Sequence, residues 1–130
     1  MNNAPLATGA KNLLIIDDEV EIGQLIARVA RDAGFTATAL TDPVEFKRRF
    51  DELRPSVVTI DILMPEVDGI ELVTWIAERK TDVRIVIVTG SDPLYTEIAS
   101  LIASSQGAEE VHFLRKPFAF EALGELLASL

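Results

Sequence analysis

Two short apolar runs that each end in aspartate constrain the fold of this chain more than any other feature. The run at 13–16 precedes Asp17 and Asp18, and the run at 57–60 precedes Asp61. Continuous apolar runs are typical of buried parallel strands, whose carboxyl ends meet at one edge of an open sheet. Two like charges about 4 Å apart repel by about 4 kcal/mol at an effective dielectric constant of about 20. Three acids at one edge therefore require a cation or shared protons.

The adjacent Asp17-Asp18 pair has a second interpretation, because aspartates that precede a helix also stabilise its positive N-terminal end. Taken alone, the pair fits a helix cap as well as a metal site. The third acid lies on a different strand and favours the metal. Mg²⁺ takes oxygen ligands, often one or two carboxylates together with water and phosphate oxygens. The sequence therefore predicts a magnesium site with a reactive aspartate.

The composition is that of one folded domain. The chain has 130 residues, of which 48% are hydrophobic and 25% charged, as in ordinary soluble proteins. A net charge of −9 argues against direct nucleic-acid binding, which needs clustered basic residues, and Lys47-Arg48-Arg49 is expected on a solvated helix face. No apolar stretch approaches the roughly 18 residues of a membrane span. The absence of cysteine fits a reducing, cytoplasmic location.

Strand patterns alternate with helical patterns along the chain. The predicted strands are 12–16, 35–40, 57–60, 84–88 and 111–114. The predicted helices are 20–33, a short one opened by Asp42-Pro43, one that bears Ile70 to Ala77, 93–104 and 118–130. This alternation favours parallel pairing with right-handed crossovers. We therefore predict an α/β fold, a doubly wound five-stranded parallel sheet with five helices in a three-layer sandwich.

Two further residues are expected at the acidic edge. Lys116 follows the fifth strand, so its ammonium can pair with Asp61 at rest and with a phosphoryl oxygen after reaction. Pro117 is a cis-peptide candidate that would turn Lys116 toward the pocket, because X-Pro bonds adopt the cis form at a cost of only about 0.5–1 kcal/mol. Thr89 ends the fourth strand, where its hydroxyl can donate to an anionic ligand, and the glycine after it leaves room for that ligand.

The segment from Asp61 to Gly69, DILMPEVDG, resembles the phosphoacceptor loop of response-regulator receiver domains. Asp17-Asp18, Thr89-Gly90 and Lys116-Pro117-Phe118 match the family's other motifs in order. The resemblance implies a receiver domain over residues 11–130 behind a flexible tail at 1–10, with the flavodoxin-like strand order 2-1-3-4-5. It also implies a phosphorylation-dependent signalling switch of a two-component system, a cytoplasmic phosphoprotein that takes part in phosphorelay signal transduction.

The resemblance implies a role for each matching position. Asp61 is the phosphoacceptor, Mg²⁺ is the cofactor, and the donor is a histidine kinase or a phosphotransfer protein. The implied metal ligands are Asp17, Asp18, Asp61 and the backbone carbonyl of Leu63. Thr89 and Lys116 hydrogen-bond the phosphoryl group, and Phe113 turns inward as Thr89 moves toward that group. Such a chain catalyses only its own in-line phosphotransfer and its own dephosphorylation, so it is not otherwise an enzyme.

The sequence departs from the family pattern at three places. Phe113 lacks the hydroxyl of the commoner tyrosine, so no output signal can depend on that hydroxyl. Leu63 is apolar where many relatives carry a polar group, which predicts slow hydrolysis of the phosphoryl group. The connection from Ser104 to Glu110 is longer than usual. It alters the face between the fourth and fifth helices, through which a homodimer would form, so monomer and homodimer stay open.

Two other functions compete with the switch. An aspartyl-phosphate hydrolase of the haloacid dehalogenase type would also use Mg²⁺ and an aspartate nucleophile. Its Asp-x-Asp spacing is absent from Asp17-Asp18-Glu19. A flavin- or dinucleotide-binding domain would need a glycine-rich phosphate loop after the first strand, and acidic residues stand there instead. Whether the chain acts alone or is joined to a C-terminal effector domain stays open, as does the downstream partner.

Overall fold

The computed structural model describes residues 11–64, 67–79, 82–90, 97, 101 and 110–130. In chain order the described strands are β1 Asn12–Ile16, β2 Thr36–Leu40, β3 Val57–Asp61, β4 Leu63–Met64, β5 Val67–Asp68, β6 Arg84–Thr89 and β7 Glu110–Arg115. Within this part of the chain, five strands form one parallel sheet in the order β2-β1-β3-β6-β7. The predicted strand order 2-1-3-4-5 is confirmed.

The central strands are buried on both faces. All five residues of β1 and all five of β3 are buried, as expected for strands that helices cover from both sides. Successive side chains of a strand point to opposite faces. Leu14 and Ile16 accordingly join one hydrophobic cluster, and Leu13 and Ile15 join the other. The apolar runs are continuous because each of their residues faces one of two cores.

The helices with described bounds are α1 Val20–Asp32, α2 Pro43–Leu53, α3 Gly69–Glu78 and α4 Phe120–Ala128. One cluster joins the sheet to α2 and α3 through Phe46, Phe50, Leu72, Val73 and Ile76. The other joins the sheet to α1 and α4 through Ile26, Ala27, Ala30, Leu123 and Leu127. Burying one such large side chain contributes about 1.5–3 kcal/mol. The predicted three-layer sandwich is therefore present.

Aspartates cap the N-termini of two helices, α2 and α3. The carboxylate of Asp42 accepts a hydrogen bond from Val44 N at 3.1 Å, and that of Asp68 accepts one from Ile70 N at 2.9 Å. Each bond satisfies a backbone donor that the first turn of a helix leaves unpaired. The Asp68 cap thereby fixes the start of α3 shortly after the strand that ends in Asp61.

The predicted helix at 93–104 lies outside the described residues except at Glu97 and Leu101, and both of these are helical. The predicted tail at 1–10 and the connection from residue 104 to residue 109 also lie outside them. In the part of the chain that is described, no helix is both long and apolar enough to cross a membrane.

The segment after Asp61 differs from the plain loop that the sequence predicts. Strands β4 and β5 pair antiparallel, with Leu63 opposite Asp68 and Met64 opposite Val67. Helix α3 then begins at Gly69, where a Cβ would lie 2.6 Å from both Cα and the carbonyl oxygen of Ile62. Glycine therefore allows the start of α3 to pack directly on the backbone that leaves β3. Two-residue strands are too short to show an alternating pattern, so periodicity could not predict this strand pair.

Candidate functional site

The parallel sheet brings the three predicted acids to one edge. Asp17 and Asp18 follow β1, and Asp61 is the last residue of β3, the neighbouring strand. Their carboxylate oxygens, together with one from Glu19, all lie within 4.8 Å of one another. Asp17 is 1% exposed and Asp61 is 4% exposed, whereas Asp18 and Glu19 are exposed. The cluster therefore has a buried floor of two carboxylates and an open rim of two more.

Backbone hydrogen bonds hold the strand exits in place. Asp17 N donates to the carbonyl oxygen of Leu40 at 3.2 Å, so β1 stays paired with β2 at the acid itself. Ile62 N donates to the carbonyl oxygen of Val88 at 3.1 Å and extends the β3–β6 pairing beyond Asp61. Both buried acids thus sit on backbone that the sheet fixes, as a reactive site requires.

Lys116 joins the cluster from β7. Its Nζ lies 3.1 Å from Asp17 Oδ2, 3.1 Å from Glu19 Oε1 and 3.2 Å from Asp61 Oδ2. The peptide bond between Lys116 and Pro117 is cis. Burial alone would lower the pKa of Lys116, but the contacts with Glu19 and Asp17 and the charge of Asp61 outweigh burial and raise that pKa above its ordinary value. Lys116 is therefore a fixed positive charge at neutral pH.

The acidic cluster suits a divalent cation. Four formal negative charges and one ammonium leave a net formal charge of three negative on these five groups. Asp17 uses Oδ1 to accept a hydrogen bond from Glu19 N at 2.9 Å. Its other oxygen, Oδ2, is buried without a hydrogen bond of good geometry, although the Lys116 ammonium is in ionic contact with it. A buried carboxylate oxygen beside further carboxylates is the kind of ligand that Mg²⁺ takes.

Other predicted site residues are placed only in part. Thr89 ends β6 opposite Arg115, and Gly90 lies against Lys116, with a built Cβ 3.4 Å from Lys116 Cβ. The backbone of Thr89 thus reaches the same edge, but its side chain lies outside the described residues, as does that of Leu63. The backbone of Leu63 forms β4.

Phe113 lies away from the acidic edge. It pairs with Ile87 in β7, and 45% of its surface is exposed. The inward turn that the resemblance implies for this ring stays a prediction. Among the described residues β7 has a strand neighbour on one side only.

Glu19 is the functional candidate that the sequence reasoning missed. In the sequence, Glu19 was informative only about the missing Asp-x-Asp spacing of the haloacid dehalogenase type. In the structure its side chain contacts Lys116. The available signal was the third consecutive acid after β1. Hydrophobic periodicity carries no information about where an exposed, flexible carboxylate points.

A cavity of about 770 Å³ lies at the opposite edge of the sheet. It is lined by residues that precede or begin β3 and β6 and by the ends of α2 and α3, namely Phe50, Asp51, Arg54, Pro55, Ser56, Arg79, Asp82, Val83 and Arg84. None of these residues belongs to the acidic cluster. The described cavity is therefore not part of the candidate site.

Comparison with known proteins gives a consistent answer along the chain. A family model described as "Response regulator receiver domain" matches residues 13–128. The response regulator MprA of Mycobacterium ulcerans is 30% identical over 118 residues, which make up 91% of this chain and 47% of that protein. The chemotaxis protein CheY of Listeria monocytogenes is 29% identical over 118 residues, 88% of this chain and 93% of that protein.

A solved structure shows the same fold. The response regulator receiver domain protein of Clostridium thermocellum superposes with a TM-score of 0.74 at 27% identity, and the match covers 92% of each chain. The chain spans about half the length of MprA and nearly all of the Listeria CheY. The region that matches this chain is therefore nearly the whole of the Listeria CheY and about half of the longer MprA.

Proposed function

The chain belongs to the response regulator receiver domain family, and on this premise we propose that Asp61 accepts the phosphoryl group of a phosphorylation-dependent two-component signalling switch. The observation that supports this choice most directly is the contact of one ammonium, Lys116 Nζ, with both buried acids, Asp17 and Asp61. In this arrangement Lys116 can neutralise charge on Asp61 both before and after it is phosphorylated. The other carboxylates of the cluster remain available to a cation.

In the proposed reaction an oxygen of the Asp61 carboxylate attacks the phosphorus of a phosphohistidine in line with the breaking P–N bond. An acyl phosphate forms on Asp61, and the P–N electron pair stays on the imidazole, which leaves as a neutral ring because its other nitrogen already carries a proton. Catalysis consists mainly of positioning and charge neutralisation. The rigid exit of β3 supplies the position, and Lys116 supplies part of the charge.

The remaining roles are assigned to the other residues of the edge. Asp17, Asp18 and Asp61, with the backbone carbonyl of Leu63, would hold Mg²⁺. When bound, Mg²⁺ supplies positive charge to the phosphoryl oxygens. Lys116 exchanges its contact with Asp61 Oδ2 for one with a phosphoryl oxygen. The chain acts on its own acyl phosphate only, both in forming it and in losing it.

The proposed output is a change of surface. The Thr89 hydroxyl donates to the phosphoryl group, and Phe113 turns inward from its exposed position as Thr89 moves toward that group. The change alters what β7 presents to a partner or effector domain. The donor is a histidine kinase or a phosphotransfer protein in the cytoplasm, and the receiver domain spans residues 11–130.

Intact-mass spectrometry tests the proposal. Incubation with acetyl phosphate and Mg²⁺ should add about 80 Da, the mass of one phosphoryl group, and Asp61→Asn should abolish the adduct. Asp32→Asn is the matched control, because Asp32 is an exposed aspartate at the end of α1, and it should keep the adduct. Continuous release of phosphate with no lasting adduct would point to a hydrolase instead. An adduct that persists in Asp61→Asn would refute Asp61 as acceptor.

A further inference from the structure

Glu19 forms a contact that the proposed function does not use. Its Oε1 accepts a hydrogen bond from Lys116 Nζ at 3.1 Å. The side chain of Glu19 is 59% exposed, whereas that of Lys116 is 17% exposed. Glu19 therefore lies on the solvent side of the ammonium, and the buried acids lie on the protein side. The ammonium is held at the mouth of the site.

Lys116 contacts three carboxylates, with hydrogen bonds to Glu19 and Asp61 and an ionic contact with Asp17. A lysine ammonium has three N–H groups, and Asp17, Glu19 and Asp61 each offer an oxygen within 3.2 Å of Nζ. When Lys116 exchanges its Asp61 contact for a phosphoryl oxygen, Glu19 and Asp17 still attract the ammonium, so the phosphoryl oxygen shares Lys116 with these two carboxylates. The negative charge of the partners that Lys116 keeps decides how strongly it can hold the phosphoryl group.

The three partners differ in what the proposed reaction does to them. Asp61 is converted to an acyl phosphate, and Asp17 is assigned to the metal. Glu19 keeps a full carboxylate charge throughout, so it is the partner that competes with the phosphoryl group for Lys116. Its exposure keeps that competition modest, because solvent screens an ion pair on the surface.

We propose that Glu19 is a positioning residue that holds the Lys116 ammonium at the mouth of the site and so slows phosphorylation of Asp61. This proposal rests on the proposed function of Asp61 and Lys116. It assigns to the third acid after β1 the role of setting the reaction rate. Loss of the Glu19 charge frees Lys116 to pair with the incoming phosphoryl group.

The test measures the rate of adduct formation from acetyl phosphate and Mg²⁺ by intact-mass spectrometry. Glu19→Gln should accelerate the reaction by about two- to fivefold, the range that a partly exposed ion pair produces. Glu21→Gln is the matched control: Glu21 lies in the first turn of α1, is exposed and has no contact with Lys116 among those described. It should leave the rate unchanged.

A double-mutant cycle separates positioning from simple repulsion of the anionic donor. In a Lys116→Met background, Glu19→Gln should have no effect if Glu19 acts through Lys116. An equal acceleration in both backgrounds would mean that Glu19 only repels acetyl phosphate, and would overturn the proposal. An unchanged Glu19→Gln rate beside a normal wild-type adduct would overturn this proposal alone. No adduct in the wild type would overturn the proposed function as well.

A measurement on the resting protein keeps the test decisive if Lys116→Met fails to fold. The NMR resonances of the Lys116 side-chain terminus should shift in Glu19→Gln before any phosphoryl donor is added, and they should stay in place in Glu21→Gln. A purely structural role for Glu19 would move neighbouring backbone signals without a selective change at Lys116. Unshifted Lys116 resonances in Glu19→Gln would contradict the proposed contact.

Discussion

Gly69 offers a quantitative test of how the segment after Asp61 is held. A Cβ at this position would lie 2.6 Å from Ile62 Cα and 2.6 Å from its carbonyl oxygen. Carbon atoms in ordinary contact are about 3.5–4.0 Å apart, so Gly69→Ala must move backbone by about 1 Å. Overpacking of this kind costs about 1–3 kcal/mol. For a chain of this size, each kcal/mol lost lowers the melting temperature by about 4 °C. The melting temperature of Gly69→Ala should therefore fall by about 4–12 °C.

Gly124 is the matched control because it lies inside α4 with room for a methyl group. A Cβ there would be 3.8 Å from Val29 Cγ1, an ordinary contact. Gly124→Ala should raise the free energy of unfolding by about 0.5–1 kcal/mol through helix propensity. Urea unfolding followed by the fluorescence of Trp75, the one tryptophan of the chain, measures both variants. Gly69→Ala within about 0.5 kcal/mol of the wild type would refute the close approach.

Three further predictions concern Asp18 and Lys116 at the acidic edge and Arg79 beside Trp75. Asp18→Asn should weaken Mg²⁺ binding about tenfold or more, measured by calorimetry. Replacing a residue that only hydrogen-bonds a metal ligand already lowers metal affinity by about that factor. Without Mg²⁺, Lys116→Met should lose roughly 1–3 kcal/mol of unfolding free energy. Because the pKa of Lys116 is higher in the folded state than its ordinary 10.5, this difference should persist up to that pH and disappear only above it in urea titrations. Arg79 stacks 3.5 Å from the Trp75 ring centroid and pairs with Asp51 at 3.0 Å. Arg79→Ala should therefore cost about 1 kcal/mol in urea unfolding, and Asp51→Ala less, because the stacking remains.

The elements that periodicity could predict are those with long, buried patterns. The strand Asn12–Ile16 was predicted at its observed bounds, and the start of α1 at Val20 was also predicted correctly. The strand was predicted correctly because all five of its residues are buried, and α1 was recognised as a helix because its buried residues recur on one face. The end of the last helix was predicted less well: the pattern suggested 118–130, and α4 spans Phe120–Ala128. Helix ends depend on local capping more than on burial.

The parts that could not be predicted depend on single contacts. The hairpin of β4 and β5 has two residues on each strand, too few for an alternating pattern. The meeting of Asp17 with Asp61, by contrast, was predictable, because the ends of parallel strands share one edge of the sheet. The contact between Glu19 and Lys116 joins residues far apart in sequence through two flexible side chains. Only the folded arrangement determines which of the neighbouring acids Lys116 can reach.

The central claim is that Asp61 is the carboxylate that is chemically changed, while the acids around it hold a cation. Treatment with borohydride after reaction with acetyl phosphate reduces an acyl phosphate to an alcohol, which converts aspartate to homoserine. Peptide mapping should then find homoserine at Asp61, and only when Mg²⁺ was present during phosphorylation. Reduction found at Asp17, Asp18 or Glu19 instead, or at Asp61 to the same extent without Mg²⁺, would contradict the account.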